Sequence, residues 1–153
     1  FNGYGPNEAH KGHMASVPYN LHKQLEKGDE VKLFEGSDGY EAGEQRRDFV
    51  YVDDVVKVNL WFKENPEVSG IFNVGTGKSQ TFNEVANSVI HFHGKGSIQY
   101  IPFPKELVGS YQSFTEADLG KLRAAGYPND FLDVQTGVQL YLEKLSNWPN
   151  NES

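Results

Sequence analysis

An arginine and a predicted helix N-terminus lie close together between Arg47 and Val55. Alternating side chains at 49–52 predict a short strand. Asp53 follows as the predicted N-cap of a helix. A cation at the end of a strand, beside a helix N-terminus, suits an anionic ligand such as a phosphate. The alternative is an arginine–aspartate surface pair next to a capped helix, and these residues alone favour neither interpretation.

Lys11 is the second candidate for chemistry. It lies between His10 and Gly12, in a loop rich in turn residues just before a predicted helix. A lysine acts as a base only where burial or a nearby cation lowers its pKa. A surface lysine is the default interpretation, so a catalytic role for Lys11 needs support from the rest of the sequence.

Two other patterns, a glycine-rich segment and a pair of histidines, suggest a phosphate site and a metal site that their spacing does not support. Residues 75–79 read Gly-Thr-Gly-Lys-Ser between a predicted strand and helix, but a phosphate-binding P-loop requires a glycine where Phe72 stands. We therefore predict a turn that lets the strand and helix pack closely. His91 and His93 lie two residues apart on a predicted helix, so they face different sides and cannot share one ion. The sequence predicts no metal site.

Composition limits the classes of protein that fit. The chain has 153 residues, 37% of them hydrophobic, which suits one domain with a modest core. Its formal net charge of -7 argues against nucleic acid or an anionic membrane as the main partner. The chain has no cysteine, which excludes disulfides, thiolate metal sites and a cysteine nucleophile. This composition fits the cytoplasm.

Strands alternate with helices along the chain, which predicts an α/β fold. Thr81 and Glu84 form a capping box for one helix, and Thr115 is the predicted cap of a later one. The helix after Asp53 is apolar nearly all round, which predicts burial on more than one side. The predicted helices span 14–27, 53–63, 81 onward, 116–125 and 133 onward, and the predicted strands span 31–34, 49–52, 70–75 and 98–101.

Three motifs, at 1–6, 47–55 and 72–77, together resemble the extended short-chain dehydrogenase/reductase family of nucleotide-sugar epimerases and dehydratases. Further stretches within 10–17, 33–37 and 111–127 are similar to the members that act on ADP-heptose. The resemblance spans almost the whole chain. It implies the C-terminal substrate-binding portion of an NAD(P)-binding Rossmann-like fold, with the N-terminal dinucleotide-binding part missing.

The resemblance implies an NADP-dependent epimerase that oxidises carbon 6 of an ADP-heptose and returns the hydride to the opposite face, for lipopolysaccharide-core biosynthesis. Of two opposed acid/base groups, one is a tyrosine upstream of this chain and the other corresponds to Lys11. Gly3 and Lys11 would contact the cofactor, and Arg47 would clamp the diphosphate. The implied substrate contacts are Asn2, His13, Asn20, Phe34, Glu35, Gly36, Ser37, Arg47 and Tyr111.

The chain departs from the family pattern at several positions. His13 stands where such enzymes usually have serine, and Asn20 stands where they have histidine. The loop between Ser37 and Arg47 is longer than usual, and Arg46 is an alternative diphosphate clamp. Another nucleotide-sugar epimerase or dehydratase, or a non-catalytic sugar-nucleotide-binding or assembly module, therefore remains an alternative.

We expect residues 1–146 to form the substrate-binding portion and 147–153 to form a polar tail. Residues near 1–6, 48–65 and 70–94 would pack on the missing dinucleotide-binding domain. The opening residues read as the end of a strand, so the chain reads as a piece of a longer polypeptide that is inactive alone. The resemblance also implies a homo-oligomer, a pentamer in the family. Finally, we expect the Lys11 amine and the Arg47 guanidinium to share one cleft.

Overall fold

The structure, a computed structural model, describes residues 2–107 and 113–147, except for the side chains of His13 and Met14. The strands are β1 (Asn2–Tyr4), β2 (Glu30–Phe34), β3 (Arg46–Arg47), β4 (Phe49–Tyr51), β5 (Gln80–Thr81) and β6 (Ser97–Ile101). The helices are α1 (Val17–Lys27), α2 (Val52–Glu64), α3 (Phe82–His93), α4 (Gly120–Ala124) and α5 (Val134–Asn147). Short 3-10 helices lie at Ala9–Met14 and Lys105–Leu107.

The described strands form three two-stranded sheets. In the first sheet β1 runs parallel to β4, and Gly3 lies opposite Val50. In the second sheet β2 runs parallel to β6, and Leu33 lies opposite Tyr100. Parallel strands need long crossover connections, which here contain the helices. In the third sheet β3 and β5 pair antiparallel, which brings Arg47 opposite Gln80.

The main core lies where α1, α3 and α5 pack together against β1, β2 and β4. All three residues of β4 are buried, as expected for a strand covered on both faces. A smaller core forms around Val58 of α2, with Leu122 and Tyr127. The fully buried side chains of the main core include Leu25, Val31, Tyr51, Val85, Val89, Val134, Val138, Tyr141 and Leu142.

The caps explain where two of the helices begin. The Ser16 hydroxyl accepts the Tyr19 N–H at the start of α1, and the Thr81 hydroxyl accepts the Glu84 N–H at 3.0 Å at the start of α3. The predicted strands at 31–34 and 98–101 and the predicted helices from 81 and from 133 are confirmed. The first helix begins at Val17 rather than at residue 14, because a 3-10 helix precedes it.

Four predictions about local structure are wrong. Residues 70–75 form no strand, because no described strand lies beside them to take their hydrogen bonds. Asp53 does not cap α2, because β4 runs directly into the helix at Val52 and places Asp53 in its first turn. Thr115 caps no helix, because its hydroxyl accepts the Asp48 N–H at 3.2 Å and α4 begins only at Gly120.

The fourth correction concerns the sides of α2. Its buried residues are Asp54 and Val58, whereas Val52, Val56 and Leu60 are 37%, 47% and 54% exposed. These three residues repeat every four positions, so they form one apolar stripe along the helix. The expected burial on more than one side is therefore not met among the described residues. Within those residues, no helix is both long and apolar enough to cross a membrane.

Candidate functional site

A fully buried carboxylate, Asp48, joins the segment around β4 to two distant loops. It accepts the N–H and the hydroxyl of Thr76 at 2.8 and 2.7 Å, and the N–H groups of Gly77 and Ala117 at 3.0 Å each. A Cβ on Gly75 would stand 2.8 Å from Oδ2 of Asp48 and 2.9 Å from the Ala117 side chain, so only glycine allows this approach. The amides of the loop at 75–79 thus bind a carboxylate, in agreement with the predicted close-packing turn.

The two neighbouring arginines have different environments. Arg46 donates through Nε and Nη2 to the hydroxyl and carbonyl oxygens of Ser79, at 2.9 and 2.8 Å. Arg47 is 6% exposed, and its guanidinium carbon lies 5.3 Å from the centre of the Phe82 ring. Its Nη1 also donates to the carbonyl oxygen of Arg46 at 2.9 Å. Arg46 therefore holds a loop in place, while Arg47 stacks on an aromatic ring, an arrangement in which guanidinium groups often bind phosphates.

A cavity of about 190 Å³, which we call the α1 cavity, opens beside that ring. It brings together two of the predicted substrate contacts, Asn20 of α1 and Phe34 of β2. The Asn20 side chain donates to the carbonyl oxygen of Ala15 at 3.0 Å. The complete lining is Val17, Asn20, Leu21, Gln24, Lys32, Leu33, Phe34, Gly43, Gln45 and Phe82.

The predicted contacts Glu35, Gly36 and Ser37 continue from β2 at the edge of this cavity. The Glu35 N–H donates to Ile101 of β6 at 2.8 Å, which extends the strand pairing by one residue. A Cβ on Gly36 would collide with the carbonyl oxygen of Tyr40, so the chain needs glycine to make this turn. The Ser37 hydroxyl faces the buried amide of Gln45 at 3.3 Å.

A second cavity, the β1 cavity, has a volume of about 230 Å³. It brings together the predicted cofactor contacts Gly3 and Lys11, and Lys11 itself is exposed. The complete lining is Gly3, Tyr4, Gly5, Pro6, Glu8, Lys11, Val52 and Val55. Lys11 thus lines the β1 cavity, whereas Arg47 contacts Phe82, a wall of the α1 cavity. We expected one cleft to hold both charged groups, but Lys11 lines the β1 cavity and Arg47 lines neither of the two cavities.

Glu8, which the sequence analysis did not single out, fixes the loop that carries Lys11. It is only 2% exposed and accepts the N–H of Gly5 at 3.2 Å. Its carboxylate also accepts the N–H and hydroxyl of Ser16 at 2.8 Å each, and the Tyr141 hydroxyl at 2.7 Å. Only a spacing of eight residues between an acid and a helix-capping serine marks this network in the sequence, and that pattern is too common to be a signal.

The remaining predicted positions are only partly described. Asn2 is exposed at the start of β1, and its N–H donates to the Asp48 carbonyl oxygen at 3.2 Å. Tyr111 and the side chain of His13 lie outside the described residues. Asn2 therefore has a defined place at the carboxylate-linked segment, while the roles of His13 and Tyr111 stay predictions.

A pair of histidines, His22 of α1 and His93 of α3, meets at 2.8 Å between Nδ1 and Nε2. Burial lowers the pKa of both imidazoles, and the nearby Glu26 carboxylate opposes that shift. One ring must donate and the other accept, which is possible only while at least one is neutral. Among the described residues, no group of three or more potential ligands from His, Cys, Asp and Glu is placed to hold a metal.

Comparison with known proteins defines the class to which this fold and these cavities belong. Residues 1–75 match the model of the NAD dependent epimerase/dehydratase family. The chain is similar to this family over that range, and the predicted fold class, the C-terminal portion of an α/β extended short-chain dehydrogenase fold, is confirmed.

Two relatives within this family are similar to almost the whole chain. The chain is 56% identical over 149 residues to the ADP-L-glycero-D-manno-heptose-6-epimerase of Alkalilimnicola ehrlichii, and the match covers 97% of this chain and 47% of the relative. The Helicobacter pylori ADP-L-glycero-D-manno-heptose-6-epimerase structure matches with a TM-score of 0.74 at 30% identity, over 96% of this chain and 43% of that one. The chain spans about half the length of the relatives it matches.

A second solved structure with the same fold is that of an epimerase of a different nucleotide sugar. The Thermus thermophilus UDP-glucose 4-epimerase in complex with NAD matches with a TM-score of 0.67 at 27% identity, over 86% of this chain and 40% of that one. The fold is therefore shared by epimerases of different nucleotide sugars, and the sugar and the nucleotide must be argued from the side chains.

Proposed function

We propose that this chain is the substrate-binding portion of an NADP-dependent epimerase that converts ADP-D-glycero-D-manno-heptose to ADP-L-glycero-D-manno-heptose for lipopolysaccharide-core biosynthesis. The observation that carries the proposal is 56% identity across 97% of the chain to an ADP-heptose 6-epimerase. The α1 and β1 cavities support it, because Asn20 and Phe34 line the first and Gly3 and Lys11 line the second, and the resemblance assigns a role to all four. The predicted cytoplasmic location and homo-oligomeric state, a pentamer in the family, belong to the same proposal.

The nucleotide end of the substrate would occupy the α1 cavity. The cavity has apolar walls that include Leu33, Phe34 and Phe82, which suit the faces of a base. The Arg47 guanidinium carbon lies 5.3 Å from the centre of the same Phe82 ring, so a base in the cavity would place its phosphates near a fixed positive charge. Local cations are needed here, because the net charge of -7 disfavours an anionic substrate.

The reacting end of the sugar would approach Lys11 in the β1 cavity. Epimerisation removes and restores a hydrogen on carbon 6, so an acid/base group must serve the alcohol oxygen. Lys11 would be that group on one face, and Asn2 at the start of β1 would hold the sugar. Glu8 keeps the loop in place, because its backbone oxygen accepts the Lys11 N–H at 2.9 Å while its carboxylate is bound to Ser16 and Tyr141.

The residues of the β1 cavity fit a nicotinamide cofactor at its open side. A Cβ on Gly3 would meet nothing closer than the Val50 carbonyl oxygen at 4.0 Å, so the backbone there is open to a flat ligand. Lys11 would add a positive charge beside it. When bound, the cofactor supplies hydride removal and return at carbon 6. A neighbouring family structure contains NAD, and the assignment of NADP is the finer part of our proposal.

Exposed apolar side chains support the proposed domain arrangement. Val52, Val56 and Leu60 form an exposed stripe on α2, and Ile71 is 87% exposed. Residues near 1–6, 48–65 and 70–94 would pack such surfaces against a dinucleotide-binding domain. In this arrangement residues 1–146 are the substrate-binding portion and residues 147–153 are a polar tail. Residues 82–93 already use one face of α3 to pack against α1 and α5, so only part of that range is available.

A different nucleotide sugar is the second candidate. His13 and Asn20 replace the residues usual in ADP-heptose epimerases, and Asn20 lines the α1 cavity. A substrate panel offered to the longer protein that contains this chain distinguishes the candidates. We expect turnover of ADP-D-glycero-D-manno-heptose and none of UDP-glucose or UDP-N-acetylglucosamine. Preferential turnover of a UDP sugar would overturn the proposal, and sugar-nucleotide binding without turnover of any sugar would favour a non-catalytic binding module.

A further inference from the structure

Gln45 is a buried amide at the wall of the α1 cavity, and its orientation is fixed. Only 1% of its surface is exposed. Its Nε2 donates to the Glu35 carbonyl oxygen at 3.2 Å and to the Ser37 hydroxyl at 3.3 Å. A carbonyl oxygen can only accept, so the nitrogen and not the oxygen of this side chain must face Glu35.

The other end of the amide is an acceptor that no described residue uses. Both Nε2 hydrogens are engaged, and no donor among residues 2–107 and 113–147 contacts Oε1. Within that part of the chain, the fully enclosed side-chain atoms without a partner are the hydroxyls of Tyr4 and Tyr51. The Gln45 oxygen is not one of them, so it is not fully enclosed, and the cavity that Gln45 lines is the α1 cavity.

The loop that carries Gln45 is held in place from several sides. The Gln45 carbonyl oxygen accepts the Phe82 N–H at 3.2 Å, and the Gly43 carbonyl oxygen accepts the Asn83 N–H at 2.9 Å. The Asn83 side chain donates to Ala42 at 3.0 Å and accepts from the Tyr100 hydroxyl at 2.7 Å. These bonds make residues 42–45 an ordered wall of the cavity.

Resting on the proposed function, we infer that Gln45 reads the exocyclic amine of an adenine base and thereby selects the nucleotide of the substrate. The apolar walls of the cavity accept the ring faces, and the recessed oxygen of Gln45 accepts an N–H that projects from the ring edge. Adenine carries such an amine, whereas uracil carries a carbonyl oxygen at the corresponding edge. Two acceptors would then face each other, which disfavours a uracil nucleotide.

The recessed position of the Gln45 oxygen strengthens this selection, because a base oxygen placed against it would meet an acceptor that has no hydrogen to share. A buried site that lacks one hydrogen-bond partner rejects the mismatched ligand more strongly than it rewards the matched one.

Binding of nucleoside diphosphates to the longer protein that contains this chain, measured by calorimetry with NADP at saturation, tests the inference. The probes are ADP, purine riboside 5′-diphosphate, which lacks only the exocyclic amine, and UDP. We expect ADP to bind about tenfold more tightly than purine riboside 5′-diphosphate, which is the effect of one hydrogen bond at a buried site. In Gln45→Met this ratio falls to about one, whereas Gln139→Met, the same change outside the cavity, keeps the wild-type ratio.

If ADP and purine riboside 5′-diphosphate bind with equal affinity, and both more tightly than UDP, the role of Gln45 is overturned and the proposed function stands. A Gln45→Met variant that retains the full preference would overturn it as well. Tighter binding of UDP than of ADP would overturn the proposed function together with this inference. The comparison of ligands on the wild-type chain needs no substitution, so the test holds even if Gln45→Met fails to fold.

Discussion

Thr76 donates both its backbone N–H and its hydroxyl to the same oxygen of Asp48, at 2.8 and 2.7 Å. The other oxygen of this carboxylate accepts from Gly77 and Ala117, each at 3.0 Å. A fully buried aspartate therefore occupies the glycine loop at the position where a P-loop would hold a phosphate. It ties the segment that carries Arg47 to two loops distant in sequence, and the geometry near the proposed diphosphate site depends on it.

Replacing Asp48 should destabilise the whole chain. Asp48→Asn exchanges one accepting oxygen for an NH2 group that faces backbone N–H donors, which leaves buried donors unpaired. We expect the free energy of unfolding, measured by urea denaturation, to fall by roughly 2 to 4 kcal/mol. Asp130→Asn, the same change at an exposed position, is the control and should stay within about 0.5 kcal/mol of wild type. An unchanged midpoint for Asp48→Asn would show that the carboxylate is dispensable.

The bond between Tyr141 and Glu8 allows a second comparison. Tyr141→Phe removes a hydroxyl that donates to the buried Glu8 carboxylate at 2.7 Å, and we expect a loss of about 1 to 2 kcal/mol. Tyr4→Phe removes a buried hydroxyl that has no hydrogen-bond partner within the described residues, so it should be neutral or stabilising. Chemical denaturation of both variants checks the pair. Equal losses would mean that the bond to Glu8 contributes nothing of its own.

The sequence predicted the regular elements well where local signals were complete. The Thr81–Glu84 pattern and the apolar stripe after it predicted α3, alternation predicted β4, and short apolar runs predicted β2 and β6. Predictions failed where distant residues decide the outcome. Thr115 is a residue type that often caps helices, but its hydroxyl accepts the backbone N–H of Asp48 instead. Residues 70–75 have strand-forming side chains, but a strand also needs a neighbour, which the described residues do not provide.

The candidate site was predictable only in part for the same reason. The resemblance selected Lys11, Asn20 and Phe34, and the structure places each of them on the wall of a cavity. It did not select Glu8 or Gln45, because the importance of a buried polar residue lies in partners that sequence spacing does not reveal. The expected common cleft for Lys11 and Arg47 was an inference about distance between segments, which the sequence alone does not determine.

The histidine pair should make stability depend on pH. Burial lowers the pKa of His22 and His93 in the folded state, so the unfolded state binds more protons near and below pH 6.5. Their contribution is therefore fully present above that pH and is lost as the pH falls through the lowered folded values. Urea denaturation from pH 8 to about 5 should show a smaller loss for His93→Gln than for wild type. His91→Gln, an exposed control on the same helix, should follow the wild-type curve, and equal curves for all three would contradict the prediction.

The apolar stripe on α2 should promote association of the chain when it is produced alone. Val56 and Leu60 are 47% and 54% exposed, and large exposed apolar surfaces mark missing partners. We expect Val56→Glu with Leu60→Glu to shift the chain toward monomer in sedimentation experiments, while Asn59→Glu, an exposed polar position of the same helix, has little effect. A wild-type chain that is already a monodisperse monomer would argue against a covered face at α2.

Conversion of ADP-D-glycero-D-manno-heptose by the longer protein, followed by NMR at carbon 6, tests the central claim most directly. We predict that the protein forms the L-glycero epimer and that Lys11→Ala lowers turnover at least about a hundredfold, the usual effect of losing an acid/base group. The variant should still bind NADP, and Lys27→Ala, an exposed lysine at the end of α1, should turn over normally. Wild-type turnover by Lys11→Ala would remove this lysine from the chemistry, and a wild-type protein that leaves the heptose unchanged would contradict the proposed function itself.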